Sequence, residues 1–170
     1  MTKHNSQSPN AEPPYIHITI HPDSGAHDDL TFRFGKNEFT TDSYFFLIDP
    51  EYERRWSNVS PRDDFIRRAL TDLMSQWRNH AESLNSGSTI YLPFGLYDEC
   101  SLMLRCQRKH DSFKVTSGWS NLECTSFLLS DIAPVIRDKH HAFEPSANEV
   151  TITRAKFLVS ITSAIEQVTT

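Results

Sequence analysis

TIYLPFGLYDECSLMLRCQRKHDSFKVTSGWSNLECTSFLL, residues 89–129, contains the clearest two-residue alternation in the chain. Apolar residues alternate with their neighbours in residues 101–109 and again in the return after a polar turn at 109–112. Successive side chains of a strand point to opposite faces, so the pattern predicts a hairpin with one buried face. Residues 89–93 add a strand before it, and we predict a three-stranded meander with helices packed on its apolar face. The alternating apolar positions are Leu102, Leu104, Cys106, Phe113, Val115 and Trp119.

The strongest helical pattern follows Ser60 and places Trp77 on its apolar stripe. Ser60 is a good N-cap residue, Pro61 suits a first helical turn, and Asp63 complements the positive end of the helix. The sequence Asn-Ser-Gly at residues 85–87 ends the pattern. We therefore predict a central core helix. Its apolar positions are Phe65, Ile66, Ala69, Leu70, Leu73, Met74, Trp77, Ala81 and Leu84, at three- and four-residue spacing.

The N-terminal part of the chain predicts a tail followed by strands. Residues 1–14 are polar and proline-containing, which predicts a disordered tail. Residues 15–21 alternate and residues 30–34 return, so they predict a hairpin. The continuous apolar run YFFLI at residues 44–48 predicts a central strand or a bridge into the core. Residues 51–59 are charged and predict a loop or a short helical turn.

The C-terminal part completes the predicted domain. Residues 135–139 favour a short strand or a helical turn, 140–148 a loop, and 149–153 an edge strand. Thr153 is predicted to cap a closing helix. We predict a single α+β domain over residues 15–170, with a mainly antiparallel sheet and a long central helix and a C-terminal helix packed on it. The apolar positions of the closing helix are Phe157, Leu158, Ile161, Ile165 and Val168.

The net charge of −5 lies entirely in the first third of the chain. Residues 1–64 contain 11 acidic and 6 basic side chains, whereas residues 65–170 contain 11 of each. This excess opposes binding to nucleic acid and favours a basic partner. Solubility alone is the alternative explanation.

Three cysteines cannot all pair with one another. Cys100 and Cys106 would lie about 20 Å apart on one strand, too far for a disulfide. Cys124 could approach either from a neighbouring strand, but nothing requires it. The odd count and the lack of an apolar stretch near Met1 predict free thiols and a cytoplasmic protein. No run approaches the ~20 apolar residues that span a membrane.

Histidines and cysteines are not spaced as metal ligands. His17 and His21 would share a strand face about 13 Å apart, which is too far to hold one ion. The side chains of His140 and His141 are adjacent in a loop and diverge. No cysteine pair has the spacing of a zinc site. We predict neither a metal nor a cofactor.

No motif for catalysis is present either. Trp119-Ser120 follows Gly118 but lacks the second glycine of a nucleophile elbow. The adjacent carboxylates Asp98 and Glu99 point apart on an extended chain, which suits an exposed anionic edge better than an acid/base pair. Five glycines leave little room for a phosphate-binding loop. We predict no catalytic residues.

Several runs resemble small bacterial cytosolic proteins of toxin-immunity loci. LPFGLYDECSLMLRCQRK, VTSGWSNLE and SDI carry the resemblance, and TRAKFLVSITSAIEQV resembles the helix that ends such proteins. The resemblance covers residues 89–170 and departs at Cys124, where a glycine is expected. It implies a cytosolic protein that binds and neutralises a cognate toxin without chemistry of its own.

These observations predict a non-catalytic immunity protein whose partner is a basic toxin domain. Two alternatives remain: an enzyme whose site is assembled only in three dimensions, and a small-molecule-binding or scaffold protein. Trp119 could instead belong to the core, since it continues the inward phase of Phe113. A competing acidic surface comprises Asp49, Glu51 and Glu53. The predicted partner-binding residues, at one end of the meander, are Tyr97, Asp98, Glu99, Trp119, Ser120 and Glu123.

Overall fold

A computed structural model describes residues 15–25, 27–137, 142–147 and 149–170, with only the backbone of Asp23 and Cys124. The predicted tail at residues 1–14 and the His140-His141 pair lie outside these residues. The described elements are, in order, β1 (Ile16–Ile20), β2 (Leu30–Phe34), β3 (Asn37–Thr41), α1 (Tyr44–Leu47), α2 (Pro50–Trp56), α3 (Arg62–Ser83), β4 (Thr89–Leu96), β5 (Ser101–Lys109), β6 (Ser112–Ser120), α4 (Ala133–Ile136), β7 (Phe143–Pro145), β8 (Val150–Thr153) and α5 (Arg154–Thr169).

The strands form two antiparallel sheets. The first has the order β1-β2-β3, and the second has the order β4-β5-β6, with β7 and β8 both paired to the outer edge of β6. The long helix α3 and the C-terminal helix α5 pack on the sheet. The predicted α+β class, the mainly antiparallel pairing and the two packed helices are thus confirmed.

The meander is close to its predicted form. β5 and β6 pair without interruption from Ser101 opposite Ser120 to Lys109 opposite Ser112. β4 is longer than predicted and shifts register between Pro93 and Gly95. A Cβ on Gly95 would lie 2.7 Å from Oγ1 of Thr41, so glycine allows the two sheets to approach closely here.

Both predicted helices are present, with one difference at the start of α3. Trp77 is fully buried and its ring meets that of Phe32 edge-on at 5.8 Å. The N-cap position belongs to Pro61, which has no side-chain acceptor, so the prediction of Ser60 as the cap is wrong. In α5 the predicted cap is confirmed, because Thr153 Oγ1 accepts a hydrogen bond from the Lys156 amide.

Tyr44–Leu47 form a helix, so the first of the two predictions for residues 44–48, a central strand, is wrong. The Asp29 carboxylate accepts hydrogen bonds from the amide and the hydroxyl of Ser43, which fix the chain where it turns into α1. Phe45 and Phe46 are then buried, while Tyr44 and Ile48 are exposed. A short apolar run fits a one-sided helix as well as a strand.

The strands β3 and β7 are not predicted from the sequence, whereas α2 and β8 lie in segments where the sequence predicts an element or a turn. β3 was not predicted; it carries one buried and two exposed side chains, so its pattern is weak. β7 lies within the predicted loop at 140–148 and is only three residues long. α2 occupies most of the segment predicted as a loop or helical turn, and β8 confirms the predicted edge strand.

The buried apolar side chains form one continuous core. The rings of Phe32 in β2 and Phe94 in β4 stack at 4.2 Å and join the first sheet to the second. Arg67 of α3 donates a hydrogen bond to the Val168 carbonyl of α5, which ties the two helices together. Among the described residues, no helix combines the length and the hydropathy needed to cross a membrane.

Candidate protein-binding surface

An aromatic pair lies at the end of the meander where β4 ends and β6 ends. The rings of Tyr97 and Trp119 are 5.3 Å apart and inclined by 52°. The Tyr97 amide donates to the Cys100 carbonyl, which closes the turn between β4 and β5. Its hydroxyl donates to the Thr40 carbonyl at the end of β3, so the position of the ring is fixed.

Trp119 lies at the margin of the core. It faces Leu102 of β5, which is fully buried, yet 37% of Trp119 is exposed. Trp119 continues the alternation of Phe113 and Val115, but the core no longer covers this position. The interpretation of Trp119 as simply a core residue is therefore wrong. Together with the half-buried Tyr97, it offers an aromatic surface on a rigid support.

Acidic residues adjoin this pair in the sequence and from the loops of the first sheet. Asp98 and Glu99 are exposed in the turn that follows Tyr97. Burial raises the pKa of the Tyr97 hydroxyl, and the negative charges of Asp42 and Asp28 raise it further. These two aspartates therefore lie close enough to act on the tyrosine.

Glu144 adds a carboxylate beside the other ring. It is exposed in β7 and directly opposite Trp119 of β6, and side chains opposite each other on neighbouring strands lie within about 5.5 Å at Cβ. We call this region the acidic aromatic surface. Its residues are Tyr97, Trp119, Asp28, Asp42, Asp98, Glu99 and Glu144.

Two further predicted residues lie near the acidic aromatic surface but differ in exposure. Ser120 is 1% exposed and lies opposite Ser101, so its prediction as a surface contact is wrong. Ser120 alternates with Trp119, so it lies on the opposite face of β6, at the position paired with Phe143 of β7. The Ser101 hydroxyl donates to the Leu122 carbonyl and holds the following segment against β5. Glu123 comes next and is exposed.

Three acidic residues of the acidic aromatic surface were not predicted. Asp28 and Asp42 come from loops flanking the first sheet, where the Asp42 carboxylate accepts a hydrogen bond from the Asp28 amide at 2.6 Å. Glu144 comes from the unpredicted β7. The acidity of the first third of the sequence indicates Asp28 and Asp42 only as part of a total, and no sequence pattern indicates Glu144. Their positions depend on how the two sheets meet and on the pairing of β7 with β6.

The competing surface at residues 49–53 has a structural role. Asp49 is 3% exposed, so the prediction that it offers surface charge is wrong. Its carboxylate accepts hydrogen bonds from the amides of Glu51 and Tyr52 and from the amide and hydroxyl of Ser130. The segment around Ser130 is thereby anchored to the start of α2.

The other two acidic residues of this surface, Glu51 and Glu53, differ in how far their charges are neutralised. Hydrogen bonds from Arg54 and Arg55 lower the pKa of Glu51 to about 2. Its charge is therefore paired with two cations. Glu53 is exposed, and it alone continues the competing surface as predicted.

Other shifted pKa values have structural causes. Burial lowers the pKa of His80, and it also lowers that of His17, where Arg33 adds to the effect. Burial raises the pKa of the Cys106 thiol well above its usual range. Cys100 and Cys106 are both free. Within the described residues, no group of three His, Cys, Asp or Glu side chains is placed to hold a metal ion.

Comparisons of this chain with protein-family models, curated proteins and solved structures find no match.

Proposed function

We propose that this protein is an immunity protein that binds and neutralises a basic toxin domain in the cytoplasm of a bacterium. The observation that supports the proposal is the contact between Tyr97 and Trp119 in the midst of exposed carboxylates. Protein interfaces favour aromatic anchors within a polar rim. The protein supplies binding alone, and neutralisation follows because the bound surface blocks access to the active site of the toxin.

Charge and aromatic contact have separate roles in this proposal. Exposed carboxylates attract a basic partner over distances near the Debye length, about 8 Å at physiological ionic strength, and so raise the association rate. The partly exposed rings of Tyr97 and Trp119 bury apolar area after contact, which slows dissociation.

A nuclease domain is the partner that best fits this surface. Enzymes that act on nucleic acid carry lysine and arginine to neutralise phosphates. An acidic surface can pair with the same cations and exclude the substrate. The held position of Tyr97, whose hydroxyl donates to Thr40, reduces the entropy lost when the partner binds.

The proposal is tested by co-expression. If a gene next to this one encodes a large secreted protein, the C-terminal domain of that protein is the candidate toxin, and it is expressed in a bacterium with or without this protein. We expect growth to stop without the protein and to continue with it. Toxicity that persists in the presence of the folded protein, or a neighbouring domain without toxicity, contradicts the proposal.

A pair of double variants makes this test specific. Charge reversal of Asp98 and Glu99 to lysine should abolish protection. The matched control changes Glu82 and Glu166 to lysine; both are exposed near the ends of helices α3 and α5 and alter net charge equally. The control should protect like the unchanged protein, because these residues lie outside the acidic aromatic surface.

A further inference from the structure

A small apolar cleft adjoins the acidic aromatic surface. Its volume is about 160 Å³, and Leu96, which precedes Tyr97, forms one wall. Ile48 and Leu128 are 50% and 42% exposed at its mouth. The apolar lining is completed by Phe45, Phe127 and Leu129.

The walls of the cleft are held by hydrogen bonds to the rest of the fold. Ser130 is bound to the Asp49 carboxylate through its amide and its hydroxyl. Gln76 of α3 donates to the Leu129 carbonyl and accepts from the Ile132 amide. A ligand therefore meets a preformed cleft and loses little free energy in ordering it.

Exposed apolar side chains are concentrated around this cleft. Among the described residues, the large apolar side chains with the greatest exposure are Tyr44, Ile48, Trp119, Leu128 and Val159. Ile48 and Leu128 line the cleft, and Tyr44 packs on Phe45 at 5.5 Å. Trp119 contacts Tyr97, the residue that follows Leu96 in the chain. Val159 lies on α5.

The charge beside the cleft restricts what can occupy it. Asp98 and Glu99 are exposed immediately after Leu96 and Tyr97. On the side of Tyr44, its ring stacks on His27 at 5.4 Å, and His27 contacts the Asp42 carboxylate at 3.1 Å. A partner that fits this site therefore presents an apolar group to the cleft and cationic groups to the carboxylates beside it.

We propose that the cleft receives one apolar side chain, of leucine or phenylalanine size, that a basic protein partner presents between lysine or arginine residues. A cavity of about 150 Å³ accommodates benzene, so the volume fits one such side chain. This inference rests on the proposed function and adds a requirement to it: the toxin contributes an apolar anchor as well as positive charge.

The experiment uses two amidated nonapeptides with identical lysines and glycines and either leucine or alanine at the centre. Binding is followed at low ionic strength by NMR, through the methyl signals of Ile48 and Leu128 and the indole N–H signal of Trp119. We expect the leucine peptide to shift all three signals and to bind at least about threefold more tightly than the alanine peptide.

Two single variants show where the preference arises. Leu128→Ser should remove the advantage of the leucine peptide, because it makes the mouth of the cleft polar. Val159→Ser should leave the advantage intact, since Val159 is exposed on α5. Both residues are exposed enough for the variants to fold, and circular dichroism checks this.

The remaining outcomes separate this inference from the proposed function. Equal binding of both peptides, with shifts at Trp119 alone, overturns the cleft proposal and leaves the acidic aromatic surface as a binding site for basic partners. No shift with either peptide counts against both proposals. Methyl shifts that depend only on protein concentration assign the cleft to a second copy of this chain and overturn the proposal.

Discussion

The two ends of the β4–β6 meander use their polar groups differently. At the end formed by residues 109–112, the Arg108 guanidinium donates to the carbonyls of Leu84 and His110, and the Ser86 hydroxyl accepts from the His110 amide. The Asp111 carbonyl accepts from the first amide of α5. This end is thereby attached to both helices.

The opposite end leaves aromatic rings and carboxylates at the surface. The Tyr97 hydroxyl donates to the Thr40 carbonyl, and Trp119 remains 37% exposed. Asp98 and Glu99 extend beyond the last paired residues. One end of the sheet is thus fixed to the helices, and the other, which carries the proposed binding surface, leaves polar and aromatic groups exposed.

Trp77→Ala should have the largest effect on stability. The side chain is fully buried on α3 and packs on Phe32, so its removal leaves a cavity. We expect a loss of about 3–5 kcal/mol in the free energy of unfolding. Urea denaturation measures it, and a loss below about 1 kcal/mol would contradict the assigned core.

Asp49→Ala should have the next largest effect, because Asp49 is buried at the start of α2. Its carboxylate caps α2 and holds Ser130. We expect a loss of about 2–3 kcal/mol, because buried donors lose their acceptor. Urea denaturation checks this value. Unchanged stability together with weaker partner binding would restore Asp49 as an interface residue.

Trp119→Ala should affect binding more than folding. The ring is partly exposed, so we expect a stability loss below about 2 kcal/mol, well under that of Trp77→Ala. Partner affinity should fall at least about tenfold, or 1.4 kcal/mol. Calorimetric titration measures the affinity, and a thermal melt measures the stability. A large stability loss with unchanged affinity would place Trp119 in the core.

The reactivity of the cysteine thiols can be measured without changing the sequence. Burial raises the pKa of both described thiols, but Cys106 is fully buried within the meander and its pKa lies well above the usual range, whereas Cys100 is partly exposed. A higher pKa leaves less thiolate at pH 8, so native Cys106 should be alkylated at least about 100-fold more slowly than Cys100. Mass spectrometry follows both sites, and unfolding should expose all three cysteines to alkylation. Equal native rates would contradict the closed core.

The parts of the fold with regular periodicity could be predicted from the sequence. The alternation of Leu102, Leu104 and Cys106 predicts β5, and the stripe through Trp77 predicts α3, because local pattern and burial agree there. The run at residues 44–48 was wrongly predicted as a strand. Its helix depends on Asp29, which binds Ser43 from 14 residues away, and such a contact is not visible in a short window.

The acidic aromatic surface, the proposed binding site, could be predicted only in part. Tyr97, Asp98 and Glu99 adjoin a predicted strand end, and loops at strand ends commonly carry function. Asp42 and Glu144 approach the same rings only because the two sheets meet and β7 pairs with β6. Those pairings are long-range, so local sequence patterns do not contain them.

The central claim is that the acidic aromatic surface binds a basic protein. It is tested most directly by calorimetric titration of the toxin domain into the Asp98→Lys/Glu99→Lys variant and the Glu82→Lys/Glu166→Lys control. We predict at least about a tenfold loss of affinity for the first, or 1.4 kcal/mol, and a change below about twofold for the second. Equal affinities of the two folded variants would contradict the claim.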